Sequence, residues 1–269
     1  MSLEHASPVE GIVKGYTGDS FMIQASLATL LSLALYNALE LIILACTTFH
    51  KHRSLYFWSM LITATLGILP QGIGLMIKYF DLAAILIPVT LSTVGWCIMV
   101  TGHSFVLYSR LHLVLYNRLV LRFVFYMILA DAVILQIPQI ILSYGAIYIK
   151  GSFPHVFNIW EKVQITGFFI QEVIISSIFI VQAARLLRLD ATVPIRCQQK
   201  NFIIYQLLFI NMLIILLDIT QLTLEYNNFF MFQTAVKTFL YSVKLKLEMA
   251  VLSKLVLFVH SRNNDGLQL

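Results

Sequence analysis

Seven long apolar runs, each closed at both ends by charged or turn-forming residues, constrain this chain more than any other feature of its sequence. They fall at about 21–49, 55–77, 82–109, 120–149, 162–187, 201–224 and 232–259. Crossing a bilayer core takes roughly 20 apolar residues of helix, and every run meets that length. Composition points the same way, since 59% of residues are hydrophobic and 12% charged, against roughly 45–50% and about 25% in soluble domains. The expected fold is all-α: a polytopic membrane protein built as a seven-transmembrane-helix bundle. Its parts are a polar N-terminal tail (1–20), the transmembrane domain (21–259) and a C-terminal tail (260–269). The tail 1–20 has no basic head followed by an apolar core, so the expectation is that no secretory signal is cleaved and that span 1 directs insertion.

Charge placement orients the bundle. Lys51, Arg53, Arg110, Arg118, Arg122, Arg185, Arg188, Arg196, Lys200 and Arg262 fall on one side; Lys14, Lys78, Lys150 and Lys162 fall on the other. Cytosolic loops collect Lys and Arg, so the N-terminus is expected outside and the C-terminus in the cytosol. The net charge of +5 is spread over short loops and forms no patch, which argues against a nucleic-acid partner and leaves the lipid bilayer as the surrounding one. Cys46, Cys97 and Cys197 have no metal-ligand spacing, so neither a disulfide nor a metal site is assigned. Tyr16, Tyr56, Trp58, Tyr79, Tyr148 and Trp160 lie near span ends, where aromatic rings anchor helices at the interface.

An ionised side chain near the bilayer centre costs about 2.5–3.5 kcal/mol on insertion scales, so such residues are functional candidates by default. Here they are Glu40 in span 1, Asp131 in span 4, Glu172 in span 5, Asp218 in span 6, and Lys237, Lys244, Lys246, Glu248 and Lys254 in span 7. At helical spacing Lys237, Tyr241, Lys244 and Glu248 share one stripe, with Lys244 and Glu248 at the i,i+4 distance where opposite charges meet. That stripe is expected to face the interior, either as an ion network fixing helix register or as a working site. Lys246 points away and needs another helix or a wet gap.

Arg110 closes span 3 and reads first as a positive-inside anchor, with a gate or headgroup contact as the alternative. His103 reads as an interior histidine with its hydrogen bonds met, or as a tuning group. Pro70, Pro88 and Pro138 free backbone carbonyls, and Gln71, Gln136 and Gln139 beside them either line a cavity or bond helix to helix. The 34 aromatic residues, 19 Phe, 12 Tyr and 3 Trp, are mostly core or lipid-facing, although ring faces do stabilise cations.

Two stretches, Leu107-Tyr108-Ser109-Arg110-Leu111-His112-Leu113-Val114 and Tyr241-Ser242-Val243-Lys244-Leu245-Lys246-Leu247-Glu248-Met249-Ala250-Val251-Leu252, resemble a group of fungal seven-span proteins that includes the AscI-type membrane-bound terpene cyclases of meroterpenoid pathways. The resemblance implies proton-initiated cyclisation of a hydrophobic prenylated small-molecule substrate, often epoxidised, without metal or redox cofactor, in the endoplasmic reticulum membrane. It carries over no catalytic residue. The chain's own acids supply candidates: Glu172 and Asp218 lead, with Asp131 and Glu40 behind them. A desolvated carboxylic acid can protonate an epoxide or olefin. Lys244 and Glu248 would tune it, with Tyr241, Lys237, Gln71, Gln136 and His103 around the substrate. No Asp-Asp-x-x-Asp cluster is present to bind magnesium, which argues against a diphosphate-ionising cyclase.

Two other classes compete. A seven-helix receptor suits the N-out, C-in topology and Tyr108-Ser109-Arg110 at the end of span 3, though span 7 has no Asn-Pro-x-x-Tyr. A small transporter suits a relay of intramembrane charges, though the chain has no internal repeat.

Overall fold

The computed structural model describes residues 21–48, 55–115, 117–148, 153–190, 197–226 and 230–265. They form seven helices: α1 (Phe21–Thr48), α2 (Leu55–Tyr79), α3 (Leu86–Val114), α4 (Arg118–Tyr148), α5 (Phe153–Asp190), α6 (Cys197–Tyr226) and α7 (Phe230–Asp265). No strand occurs among the described residues. Six of the helices, α1 to α6, are long and apolar enough to cross a membrane. The charges of α7 keep it outside that description although it is 36 residues long.

The helices close a ring in which α1 packs between α2 and α7, and α6 between α5 and α7. Within it α3 touches α2, α4, α5 and α7. The polarity of the ring is inverted relative to a soluble protein. Phe21 and Phe209 are 77% and 70% exposed, whereas Gln164, Asn211 and Glu225 are 0% exposed. Apolar surface outside and polar groups inside is the arrangement that a hydrocarbon solvent selects.

Two helix boundaries depart from the sequence reading in ways that matter for function. The stretch 151–154, expected as loop, contains the start of α5 at Phe153; proline is tolerated in a first helical turn because its missing N–H would lack a partner there anyway. Glu161 is thereby inside a helix. Likewise α6 reaches Tyr226 and takes in Glu225. At the opposite end Asn117 caps α4, its Oδ1 accepting from the Leu119 amide at 3.0 Å. Helix α7 runs on to Asp265, through most of the expected C-terminal tail.

The α2–α3 pair fixes one wall of the interior. Residues Thr63–Ile68 widen into a π-helix just before Pro70, the proline having no N–H to give and crowding the carbonyl one turn earlier. The seam between the two helices is made of glycine against backbone. A Cβ on Gly74 would lie 2.8 Å from the Ser92 nitrogen, and one on Gly95 would lie 2.5 Å from the Gln71 nitrogen. The antiparallel register so defined sets Gln71 beside α3. Helix α2 then ends in a turn in which Asp81 adopts φ 51° and the Leu82 amide bonds back to the Ile77 carbonyl at 3.1 Å, a Schellman closure that a short Asp side chain tolerates.

Gly95→Val is therefore expected to lower the thermal unfolding midpoint, measured by circular dichroism in detergent, through an overpacking loss of about 1–3 kcal/mol or more. Val133→Ala on the outer face of α4 should stay within about 0.5 kcal/mol. Equal midpoints for the wild type and Gly95→Val would contradict the seam.

A ladder of buried charges beside a polar cavity

Among the described side chains of α7, Lys237, Lys244 and Glu248 lie on the stripe that the sequence indicated, and each finds its partner on another helix; the side chain of Lys254 lies outside the described ones. Seven residues, about 10 Å of helix rise, separate Lys237 from Lys244, and four more lead to Glu248. At the first rung Lys237 Nζ lies 2.7 Å from Glu161 Oε1 on α5 and 2.5 Å from Glu225 Oε2 on α6. At the second, Lys244 pairs with Asp218 of α6 and lies 3.4 Å from Glu172 Oε2 of α5, while donating to Gln221 Oε1 at 3.2 Å. At the third, Glu248 Oε1 accepts from Arg110 Nη1 of α3 at 2.8 Å. The same guanidinium donates to Asn211 Oδ1 at 2.7 Å and stacks over Phe179 at 4.2 Å.

Several sequence expectations change here. Lys244 and Glu248 pair across helices and not with each other, because a carboxylate or guanidinium from the facing helix completes each charge where the rest of the bundle excludes water. Arg110 is fully buried, so it is a rung of the ladder and not a surface anchor. Lys246 points away from the stripe as expected and meets α1, 2.7 Å from Asn37 Oδ1 and 2.5 Å from Glu40 Oε2. Of the four nominated acids, only Glu172 and Asp218 converge. Glu40 sits in this half-exposed pair at the rim. Asp131 lies partly buried on the flank of α4, whose inward face is filled by Ile128, Leu135, Gln139 and Ser143.

The glutamines divide. Gln136 Nε2 donates to Thr101 Oγ1 at 2.6 Å and to the Cys97 carbonyl at 3.1 Å, so it stitches α4 to α3 and is not in the wall of the cavity beside Trp96. Gln71 and Gln139 do line that cavity, of about 100 Å³, together with Lys78, Trp96, Glu161 and Lys237. Their Oε1 atoms and Glu161 Oε2 are buried without a hydrogen-bond partner. His103 is interior but not satisfied: both ring nitrogens are without a partner, and the ring stands edge-on to Tyr241 at 5.5 Å. Tyr241 also meets Trp96 at 5.8 Å and lies 4.4 Å from Lys244 Nζ. An aromatic contact thus joins the cavity wall to the second rung.

Beside Glu172 and Asp218 the void is only about 10 Å³, room for about one water. A groove of about 530 Å³ opens on the outer face between α4, α5 and α6, and no carboxylate lines it.

Glu161, Glu225 and Asn211 were not among the sequence candidates. The signal that marks them is periodicity. Asn211, Asp218 and Glu225 recur every seven residues on α6, the spacing that also separates Lys237 from Lys244 on α7. Two helices with charged groups at the same interval can pair both rungs in one register.

The all-helical ring, apolar outside and charged within, defines an integral multi-pass membrane protein. The chain belongs to the family described as a domain of unknown function, DUF7703, which matches residues 18–266. No curated protein and no solved structure matches it.

Removing one partner of a buried ion pair leaves an uncompensated charge and typically costs about 3–5 kcal/mol, while apolar replacement of both is often neutral. Arg110→Met alone is expected to destabilise on that scale, and adding Glu248→Met should recover most of the loss. The coupling is read from a double-mutant cycle of unfolding free energies in micelles; additive losses would mean that the pair does not form. Asp131→Asn should leave stability within about 0.5 kcal/mol.

Proposed function

We propose that the protein is a receptor-like sensor: seven spans, N-terminus outside and C-terminus cytosolic, with a small polar solute bound in the cavity between α2, α3, α4, α5 and α7. The observation that carries this reading is that Glu161 and Lys237 belong at once to the cavity wall and to the first rung of the ladder. A solute entering there competes for that ion pair, and so binds two arrangements of the rung with different affinity, which is what a ligand needs to shift a conformational equilibrium. From the rung, Trp96, Tyr241 and Lys244 lead inward. The ladder ends at Arg110, at the bundle end to which the positive-inside count assigns the cytosol.

The cyclase reading remains the second proposal, with the endoplasmic reticulum membrane as its location. What favours it is one feature, the convergence of Glu172 and Asp218 on a single lysine, an arrangement that can store a proton for an epoxide or olefin. Against it stands volume: pockets for drug-sized ligands run to about 300–1,000 Å³, far above the void beside these acids. Formation of a cyclic product from a farnesylated phenol epoxide by microsomes carrying the protein would put the cyclase first.

The sensor reading is tested in nanodiscs with fluorotryptophan in place of the three tryptophans, following the Trp96 ¹⁹F resonance as small polar solutes are added. Glu248→Gln, remote from the cavity, should change the affinity of a responding solute by about fivefold or more, the usual size of allosteric coupling. Unchanged affinity would separate cavity from ladder and remove the sensor. Counterflow of that solute across proteoliposomes would instead make the protein a carrier. Topology is checked with a thiol reagent on intact cells: Ala6→Cys should label from outside, and Asn264→Cys only after permeabilisation. The reverse pattern would invert the bundle.

A further inference from the structure

We infer that the second rung of the ladder is a proton-binding site, in which Glu172 and Asp218 hold one exchangeable proton between them against Lys244. The proton is then a ligand of the protein in its own right, and the inference goes beyond the sensor reading.

Charge counting locates the site. At the first rung Lys237 meets Glu161 and Glu225, and Lys78 interacts with Glu161 from α2, so two ammonium groups answer two carboxylates. At the third rung Arg110 answers Glu248, and at the rim Lys246 answers Glu40. The second rung is different, because Glu172 and Asp218 both pair with the same Lys244. Its other polar neighbours, Gln221 and Tyr241, bring no charge. Glu172, Asp218 and Lys244 are all buried, where an unanswered charge is poorly screened. A buried carboxyl in that position takes up a proton and becomes neutral.

Geometry gives the proton its place. The carboxyl groups of Glu172 and Asp218 lie close enough to share a hydrogen bond, and Glu172 Oε1 is buried without a donor. Two carboxylates have no donor to set between them, whereas a carboxylic acid brings one O–H. Carboxyls at such range share one proton because both cannot ionise together. The void of about 10 Å³ that touches the pair beside Ile165 and Phe169 has room for about one water. Exchange through it is balanced: the O–H bond breaks, water carries the proton off as hydronium, and the second carboxylate stays behind.

The other elements around the rung do not supply the missing positive charge. Helix α4 turns Ile128 and Leu135 inward and keeps Asp131 on its flank. Arg110 of α3 is committed to Glu248 and Asn211. His103 of α3 stands edge-on to Tyr241 with neither ring nitrogen partnered, so it is the alternative holder of the proton. The direct contact between the two acids is what assigns the proton to them.

The test uses the full-length protein in nanodiscs with no solute added, so it fails or succeeds separately from the sensor reading. Infrared spectra at neutral pH should show the carbonyl band of a protonated carboxylic acid, shifted in deuterium oxide and lost on alkaline titration. Glu172→Gln and Asp218→Asn should each remove the band, while Asp131→Asn and His103→Phe leave it. Both single variants should fold, since one carboxylate still answers Lys244; Glu225→Gln, at the balanced first rung, should lower the thermal unfolding midpoint. The folded wild type keeps a proton that the unfolded chain releases above the ordinary carboxyl range. Its folding constant, taken relative to that of Asp218→Asn, should therefore fall about tenfold per pH unit until the band is lost. A wild type without an acid band, or with one that only Asp131→Asn removes, overturns the inference. A titration that disappears in His103→Phe instead moves the proton to the imidazole and overturns the assignment to the acids. Failure of both single variants to fold contradicts the charge count, and the inference falls with it.

Discussion

A charge removed from water must meet an opposite charge or a set of hydrogen bonds, and α7 brings more charge into the bundle than any of its neighbours. Alone in hydrocarbon this helix would be strongly unfavourable. It is accommodated because α5 and α6 carry Glu161, Glu172, Asp218 and Glu225 on the faces turned toward it, α3 supplies Arg110, and α1 supplies Glu40 and Asn37 for Lys246. The position of α7 between α1 and α6 follows from these demands. So does the α6–α7 register, since Glu225 with Lys237 and Asp218 with Lys244 are satisfied together at a common seven-residue interval.

Elsewhere the driving forces are different. Between apolar helices in lipid no hydrophobic gain separates one packing from another, so close backbone contact and interhelical hydrogen bonds decide. The glycine seam of α2 and α3 supplies the first. Gln136 to Thr101, Gln171 to Ser104 at 2.7 Å, and Asn37 to Ser242 at 3.1 Å supply the second. These stitches hold α3 central, and with it Trp96 and His103, so the aromatic contacts that join cavity to ladder depend on small residues some distance away.

The functional reading turns on where the empty space lies. A carboxylate pair without adjoining volume stabilises structure or moves a proton, but it cannot surround a prenylated substrate. Volume is found one rung away, among amides, hydroxyls and charges, and its chemistry is that of a polar guest. The large outward groove has the opposite character, mostly apolar and lined by no carboxylate. That Glu172 and Asp218 adjoin so little volume is what favours recognition over cyclisation.

The sequence by itself determined the class of fold, the inward stripe of α7 and the outward turn of Lys246, because apolar run length and helical periodicity are local properties of the chain. It also singled out Glu172, Asp218 and Gln71. Only the tertiary structure decided which charges answer which. Asp131 and Glu40 stood behind Glu172 as candidates, but only packing leaves them outside the ladder, as burial depends on how many neighbours a helix has: α4 leans on two, and its flank stays open. Arg110 carried the signature of an interfacial anchor until α6 and α7 enclosed it. Glu161 and Glu225 lay in stretches that hydropathy assigns to loops, where continued helix cannot be told from turn without the partner lysine that rewards it. The sequence offered a cavity beside Gln71 and Gln139 only as one of two alternatives, since a void is defined by what five helices leave unfilled and no single one of them encodes it.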